Sequence, residues 1–545
     1  MNKNTKIGLK YALITIALLA LIDFIAMYIF MPSLNFQGRG AYILVAINLV
    51  ILVISITMYK ETLLIEQGSN KLNKVIGVIY KAVTIICGGF IIVAVLLPLI
   101  FSPIFNSGKF VSRIELNQKE FNEVIPTLKD INKIPLMDTE SAKKLGDRVI
   151  GSLSDLVSQY NVSDKYYTIC YKGQVVKIAP LEYASFFKYE SNKKDGIPGY
   201  VLVNPETNEA EFKRVEGGIQ YSPSGYLQGN LMRQLRFKYL DKIFGNVTFQ
   251  IDDDDVPYWT VTCMESNTVV GCLKPSEVII VNAVSGESEI YNIEDVPEWI
   301  DYIYDGDTVT ELYNSYGKLK NGFFNSLFSQ KECTQTTDDF GYIAKDNDIY
   351  VYTGITSTLS DSSNLGFILV NTRTGEYNYF ECSGAEEHSA MSSAEGVVQN
   401  YGYTASFPSL VNVLNEPTYT MVLKDSSGLV KLYAMVNVKN YTIVATGENL
   451  KTTLANYKNQ LLNSGNKMEV NNTDNFVSKK ITIEEIRTAI VNGNTIYFIK
   501  FEDKWYKQSV ADNIDLVTLN QNDSIEIEYN KENETEKIIP ILKVK

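Results

Sequence analysis

At 545 residues, with 45% apolar and 11% aromatic side chains including 35 Tyr, the chain is too long for one core and too apolar to stay unfolded. Roughly three or four globular units are expected beside any membrane part. The formal charge of -13 is uneven, because residues 1–113 hold ten Lys or Arg against three acids and the acidic excess falls on the remainder; such a surface repels phosphates, which excludes nucleic acid as a partner and argues against peripheral adhesion to anionic lipid.

Residues 11–31, 41–58 and 82–101 are each apolar and long enough to cross a ~30 Å hydrocarbon core as a helix. The first is too long for a signal peptide, lacks a small-residue cleavage site and is followed directly by two more spans. Lys3, Lys6 and Lys10 precede the first span and Lys60, Lys71, Lys74 and Lys81 separate the second from the third, whereas the first loop holds Arg39. The positive-inside rule therefore places the N-terminus in the cytoplasm and everything after about residue 101 outside it, in a cell membrane; Lys109 and Arg113 weigh mildly the other way. Asp23 and Asn48 lie at similar depth, roughly 10 to 12 Å from the outer ends of their spans. The pair is expected to clamp two helices through a hydrogen bond, the alternative being a proton or ion relay.

Residues 106–136 are expected to form a stalk between the membrane domain (1–105) and the folded units. A helix follows, with Val149, Leu153, Leu156, Val157 and Tyr160 on one face. Beyond it a pattern recurs: GYVLVNPETNEAEF from Gly199, EVIIVNAVSGESEI from Glu277, GFILVNTRTGEYNY from Gly366 and KLYAMVNVKNYTIV from Lys431. Each reads as strand, turn, strand, with Asn204, Asn282, Asn371 or Asn437 closing the first strand. Another strand precedes each, and helices are expected over 225–244, 297–328, 385–400 and 448–462. The units are placed at 137–222, 223–330, 331–384 and 385–462.

The segments Tyr258–Thr262 with Val281–Glu287, and Tyr350–Thr353 with Val370–Glu376, resemble the PepSY module, in which a Tyr-x-Val strand precedes a strand ending in Val-x-Asp or Asn followed by Thr-Gly-Glu. The resemblance covers about residues 138–462; the first and last units lack the Gly-Glu turn. It implies tandem helix-plus-antiparallel-sheet units and a role in controlling a secreted or membrane peptidase. As a whole the chain also resembles uncharacterised multi-pass membrane proteins of low-GC Gram-positive bacteria, which supplies a setting and no activity.

An Asn-rich linker is expected at 463–478. In the segment 479–545 the Asn492-Gly493 hairpin signal and the runs around Trp505, Leu516, Ile527 and Ile539 predict five or six strands, read as a small β-barrel of the OB or SH3-like kind. Its basic residues are interrupted by acids, so a structural or protein-binding cap is expected rather than a nucleic-acid surface.

Catalytic signatures are sparse. The single His, His388, has serines at 389, 392 and 393 nearby but no nucleophile-elbow pattern, and neighbours on one helix rarely make a triad. Asp252–Asp255 and Asp346-Asn347-Asp348 are oxygen-rich loops that lack EF-hand spacing and read as turns. Adjacent acids at Asp338-Asp339 and Glu386-Glu387 point to opposite faces if on strands. No Walker loop, dinucleotide fingerprint or HExxH motif occurs. No cofactor or metal is implied. The six Cys form no CxxC pair; a Cys263–Cys272 bridge across a hairpin is the one pairing considered, and buried free thiols are the expectation. Tyr258, Trp259 and Trp299 are candidates for a peptide- or glycan-binding surface, with core packing as the alternative.

The expected architecture is therefore α+β: three transmembrane helices, tandem PepSY-like units and a small C-terminal β-barrel-like domain. The expected function is that of a non-enzymatic, membrane-tethered module that binds a protein or peptide of the envelope. The alternatives are an envelope scaffold and a carboxylate-dependent hydrolase using Asp338 or Asp339.

Overall fold

The computed structural model describes residues 3–67, 71–128, 136–358, 363–464, 476–491, 494–510, 513–530, 537–541 and 543–544. Three helices, Lys3–Ile25, Arg39–Gln67 and Lys71–Ile100, contain segments long and apolar enough to span a membrane: Lys10–Phe30, Arg39–Glu61 and Lys81–Ile100. Their outward side chains, among them Ile16, Phe24, Ile54, Ile85 and Val95, are exposed in the protein alone, which fits a bilayer covering them. The first span ends in a π-helical turn, Ala26–Phe30, closed by Met31 in the left-handed region at φ 49°.

The described part of the expected stalk, residues 106–128, packs on the folded body. A helix, Pro103–Val111, leads to a strand, Leu116–Gln118, that adds in parallel to the edge of a later sheet with Leu116 opposite Tyr377. Thr127 bridges Asn412, and the Asn412 side chain donates to Ile125 O at 2.8 Å. The segment belongs to the folded body because Ile114, Leu116, Phe121, Val124 and Ile125 pack into that body's cores.

Four mainly antiparallel sheets follow. The first orders Tyr160–Val162, Gln174–Tyr183, Ile197–Asn204 and Glu209–Ile219, with Tyr167–Tyr171 also on the second of these. The second orders Ser288–Asn292, Leu273–Asn282, Pro257–Ser266 and Ile243–Ile251. The third centres on Asp348–Ser357, Ser363–Asn371 and Tyr377–Ala385, and the fourth on Glu416–Lys424 and Val430–Asn437. The recurrent Asn has one physical role: its side-chain oxygen accepts backbone N–H groups two or three residues on. Asn204 accepts from Glu206 and Thr207, Asn282 from Val284 and Ser285, Asn371 from Arg373 and Thr374, and Asn437 from Asn440. Such Asx turns reverse the chain in each repeat.

Helices begin where a side chain can cap them, which shortens several expected ones. Asn230 caps Leu231–Lys238 and Asp305 caps Gly306–Leu319, so neither helix reaches back to Gly225 or Pro297. Phe244 lies in a strand. Asp138 caps Thr139–Gly151, and Leu156 and Tyr160 beyond its end are still buried. That helix approaches the first sheet closely: a Cβ on Gly146 would collide with the Tyr166 hydroxyl.

The units share cores in pairs. Tyr200 of the first sheet meets Phe249 of the second in a tilted contact with ring centres 5.6 Å apart, and Phe367 of the third meets Tyr419 of the fourth edge-on at 6.0 Å. Helix Gly306–Leu319 covers the third sheet through Val309, Leu312 and Tyr313, and Leu450–Asn463 covers the fourth through Tyr457 and Leu461.

The C-terminal region is not a closed barrel. Its described strands form a three-stranded sheet, from Phe476–Thr482, Ser524–Asn530 and Lys543–Val544, and a four-stranded one from Glu485–Val491, Asn494–Phe501, Lys504–Ser509 and Ile538–Pro540. At Ile483 the chain passes from one sheet to the other, and the two enclose Ile481, Ile499, Tyr506 and Ile527. The turn at Asn492-Gly493 and most of the 463–478 linker lie outside the described residues; the strands flanking the turn pair antiparallel, as expected of a hairpin.

Candidate functional site

In the membrane domain Asn48 Nδ2 donates to Asp23 Oδ1 at 2.7 Å and to Leu44 O at 2.9 Å, so the two polar groups join the first and second spans. Where these helices meet the folded body, the helix Leu231–Lys238 presents two arginines to the end of the first span. Arg233 Nε donates to Tyr28 O at 3.0 Å, with its guanidinium 4.1 Å from the Tyr28 ring centre. Arg236, 4% exposed, donates from Nε to Met31 O at 3.0 Å and from Nη1 to Tyr239 O, Leu240 O and Lys242 O at 3.1, 3.3 and 2.7 Å. The last carbonyls of a helix have no partner within it and carry the negative end of its dipole, so a guanidinium is the group best suited to them. The first loop is tied further, through Leu34 N to Leu240 O at 2.7 Å and Gly271 N to Gln37 O at 3.1 Å. Arg113, just beyond the third span, donates to Leu273 O at 2.8 Å. The body thus sits on the side of the first loop and of the end of the third span, clasped to both.

Among the candidate aromatics, Trp259 is 4% exposed, donates to Tyr221 O at 2.9 Å and packs on Phe249: it is a core residue. Tyr258, its strand neighbour, faces the opposite way and meets Trp299 with ring centres 4.7 Å apart, both partly exposed. Two of the three residues are brought together and the third is separated by strand alternation.

The acidic runs are engaged in turns. Asp252 Oδ1 accepts from Asp254 N and Val256 N at 3.0 and 2.9 Å, and Asp255, at φ 66°, accepts from the Tyr171 hydroxyl. Asp346 and Asn347, at φ 54° and 66°, form a two-residue hairpin turn, while Asp348 pairs with Arg373 at 2.6 Å. Glu386 caps the helix Glu387–Val397, accepting from His388 N and Ser389 N, and His388 itself is exposed. Glu387 points inward, 1% exposed, and accepts from Gly354 N at 2.9 Å; burial pushes its carboxyl up to about 7. Asp338 and Asp339 are both exposed. All six cysteines are free; burial pushes the thiols of Cys170 and Cys263 up to about 12 and that of Cys382 to about 11.

The sequence reading did not single out the most distinctive polar site. Where the first, third and fourth units meet lies a cavity of about 380 Å³. Lys177 and Thr168 enter it from the first sheet, Asp339, Phe340 and Tyr352 from the third unit, and Phe407 from the fourth. Lys172 and Gly173, at φ 50° and 75°, turn the hairpin that sets Thr168 opposite Lys177. Lys177 is 8% exposed and donates from Nζ to Thr168 Oγ1 at 2.8 Å; burial pushes its ammonium down to about 8, partly offset by the charge of Asp138. The signal that would have found it is the cation inside the otherwise apolar run VVKIAPL. Beside it, Lys424, 5% exposed, pairs with Asp138 and with Glu140 at 3.4 Å, tying the fourth unit to the first.

No family model, curated protein or solved structure matches the chain. Its reading therefore rests on its own geometry. A second buried acid, Asp301, marks the junction of the first three units: it is 2% exposed, accepts from Cys170 N at 2.8 Å, and its backbone N donates to the Gln250 side chain at 2.7 Å. Thr372 Oγ1 donates to Asp301 O at 2.5 Å. Burial pushes the Asp301 carboxyl up to about 8. Buried polar groups satisfied across three units hold those units in one relative arrangement.

Proposed function

We propose that this protein is a membrane-held platform on the extracytoplasmic face that binds a protein or peptide of the envelope. The observation that carries the reading is the clasp of Arg233 and Arg236 on the end of the first span, which fixes the body's height and orientation above the bilayer. A tethered enzyme acting on diffusing substrate gains little from such a fixed pose; a module that meets a membrane-bound partner gains a pre-paid orientation. The edge for partner capture is the outer strand Glu209–Ile219, whose first half pairs on one side with Gly199–Asn204. Strand addition already operates within the chain, where Leu116–Gln118 docks on the edge of the third sheet. The PepSY resemblance supports a peptidase as the partner.

The scaffold reading is second, favoured by the three spans and disfavoured by the internal pairing of Asp23 with Asn48, which leaves that carboxylate less in need of a helix from another protein. Two measurements test the proposal. A membrane-impermeant maleimide applied to intact cells is expected to label Ser427→Cys, on an exposed loop, and not Ser69→Cys between the second and third spans; the reverse pattern would place the body in the cytoplasm. A photo-crosslinker at Glu211 in the membrane-embedded protein is expected to trap one discrete envelope protein, and absence of any adduct there and along the rest of the Glu209–Ile219 strand removes the binding surface.

A further inference from the structure

We infer that the cavity between the first, third and fourth units is a binding site for a small zwitterion of the amino-acid or short-peptide class, its carboxylate received by Lys177. The inference stands apart from the docking of a partner protein and from the orientation in the membrane.

Two observations converge on it. Among the described residues Lys177 makes one hydrogen bond, to the neutral Thr168 hydroxyl, and no ion pair. The nearest carboxylate, Asp138, is already committed to Ser141 N at 2.9 Å and to Lys424. A lysine ammonium has three donors, so Lys177 has two to spare, and a buried ammonium without a counter-ion is costly. An anion entering the cavity would supply the missing charge.

Tyr352, 1% exposed, closes the wall beside Lys177, its hydroxyl covered and bonded by the Leu410 backbone. Its ring is held by close contact with Gly341, where a Cβ would clash.

The second observation is the remainder of the lining. Phe340 and Phe407 offer apolar walls, and Asp339, whose Oδ1 accepts from Phe340 N at 2.8 Å, remains exposed toward solvent and free to receive an ammonium. A volume of about 380 Å³ lies near the lower end of the roughly 300–1,000 Å³ span of small-ligand pockets. One buried ammonium, one available acid and aromatic walls match a carboxylate, an ammonium and an apolar side chain on one small molecule. A plain anion such as phosphate would leave the aromatic walls and Asp339 unused.

The test uses the full chain in lipid nanodiscs and calorimetric titration with the twenty free L-amino acids and the L-alanyl dipeptides. At least one of these is expected to bind at millimolar concentration or below, and its C-terminal amide to bind at least about tenfold more weakly. Lys177→Met should abolish binding, and Asp339→Asn, at an exposed position, should weaken it severalfold. Affinity should fall as pH rises past about 8, where Lys177 loses its proton. Absence of binding by every probe, equal binding of acid and amide, or binding retained by both variants would overturn the assignment.

Discussion

Replacing Arg236 with Met tests whether the body is truly locked to the first span. The guanidinium supplies one hydrogen bond to Met31 O and, from Nη1, a shared contact with three carbonyls that counts as about two more. A hydrogen bond to a charged group contributes about 1.5–3 kcal/mol, and the carbonyls left behind regain part of this from water, so the net loss is about 3 kcal/mol. Met keeps the aliphatic bulk against Phe244, which now lies 4.0 Å from the guanidinium. At about 1.4 kcal/mol per tenfold, local opening of the clasp should rise roughly a hundredfold. Hydrogen exchange of the purified protein reads this directly: the amides of Leu34 and Gly271, bonded across the junction to Leu240 O and Gln37 O, should exchange about a hundredfold faster. Amides of the fourth sheet, such as Met421, should keep their wild-type rates. Unchanged exchange at Leu34 and Gly271 would refute the clasp as the source of rigidity.

Lys177→Met should also alter the pH dependence of stability: a folded-state value near 8 against 10.5 makes the buried charge destabilising below pH 8, with relief as pH rises between the two. The wild-type minus variant stability, followed by thermal unfolding, should therefore climb by about 3 kcal/mol over that window. Asp301 has the opposite sign. Its carboxyl is raised from 3.8 to about 8, so the folded state favours the neutral form, stability is greatest at acid pH and declines as pH rises toward 8, and Asp301→Asn should flatten that decline in unfolding midpoints recorded between pH 5 and 8. The free thiols, buried or half-buried and with the folded-unit thiols Cys170, Cys263 and Cys382 raised, should resist a bulky maleimide in the native protein and react fully in denaturant; mass spectrometry showing prompt native labelling of Cys263 or Cys382 would contradict their placement. Asn48→Leu removes the donor to Asp23 and should weaken association of the first two spans by about 1 kcal/mol, read as a lower thermal midpoint in detergent.

Local signals made much of this protein legible. The three spans follow from runs of apolar residues that nothing but lipid or a core can accommodate, and the internal repeat follows from an Asn that must close each strand so its side chain can bond the turn. Asp23 and Asn48 were identifiable because polar groups in an apolar span need partners, and similar depth made each the other's nearest choice. Tyr258, Trp259 and Trp299 were expected on one surface, and the structure divides them, because neighbours on a strand face opposite ways and the packing of the first sheet on the second buries Trp259.

Contacts between distant segments were decided only by tertiary structure. Leu116–Gln118 becomes a sheet edge because the strand Tyr377–Ala385 lies open beside it, a fact written some 260 residues away. The C-terminal strands divide into two sheets because the chain changes sheet at Ile483, which no strand propensity encodes. Arg236 and Lys177 look like ordinary cations in sequence; the first acquires its role from carbonyls at the end of the first span, and the second from burial at a junction of three units. Sequence patterning sets which residues are apolar and which turns form, because those preferences act over a few residues. The pairing of a buried charge depends on which surfaces meet, and that is settled by the packing of units distant in the chain.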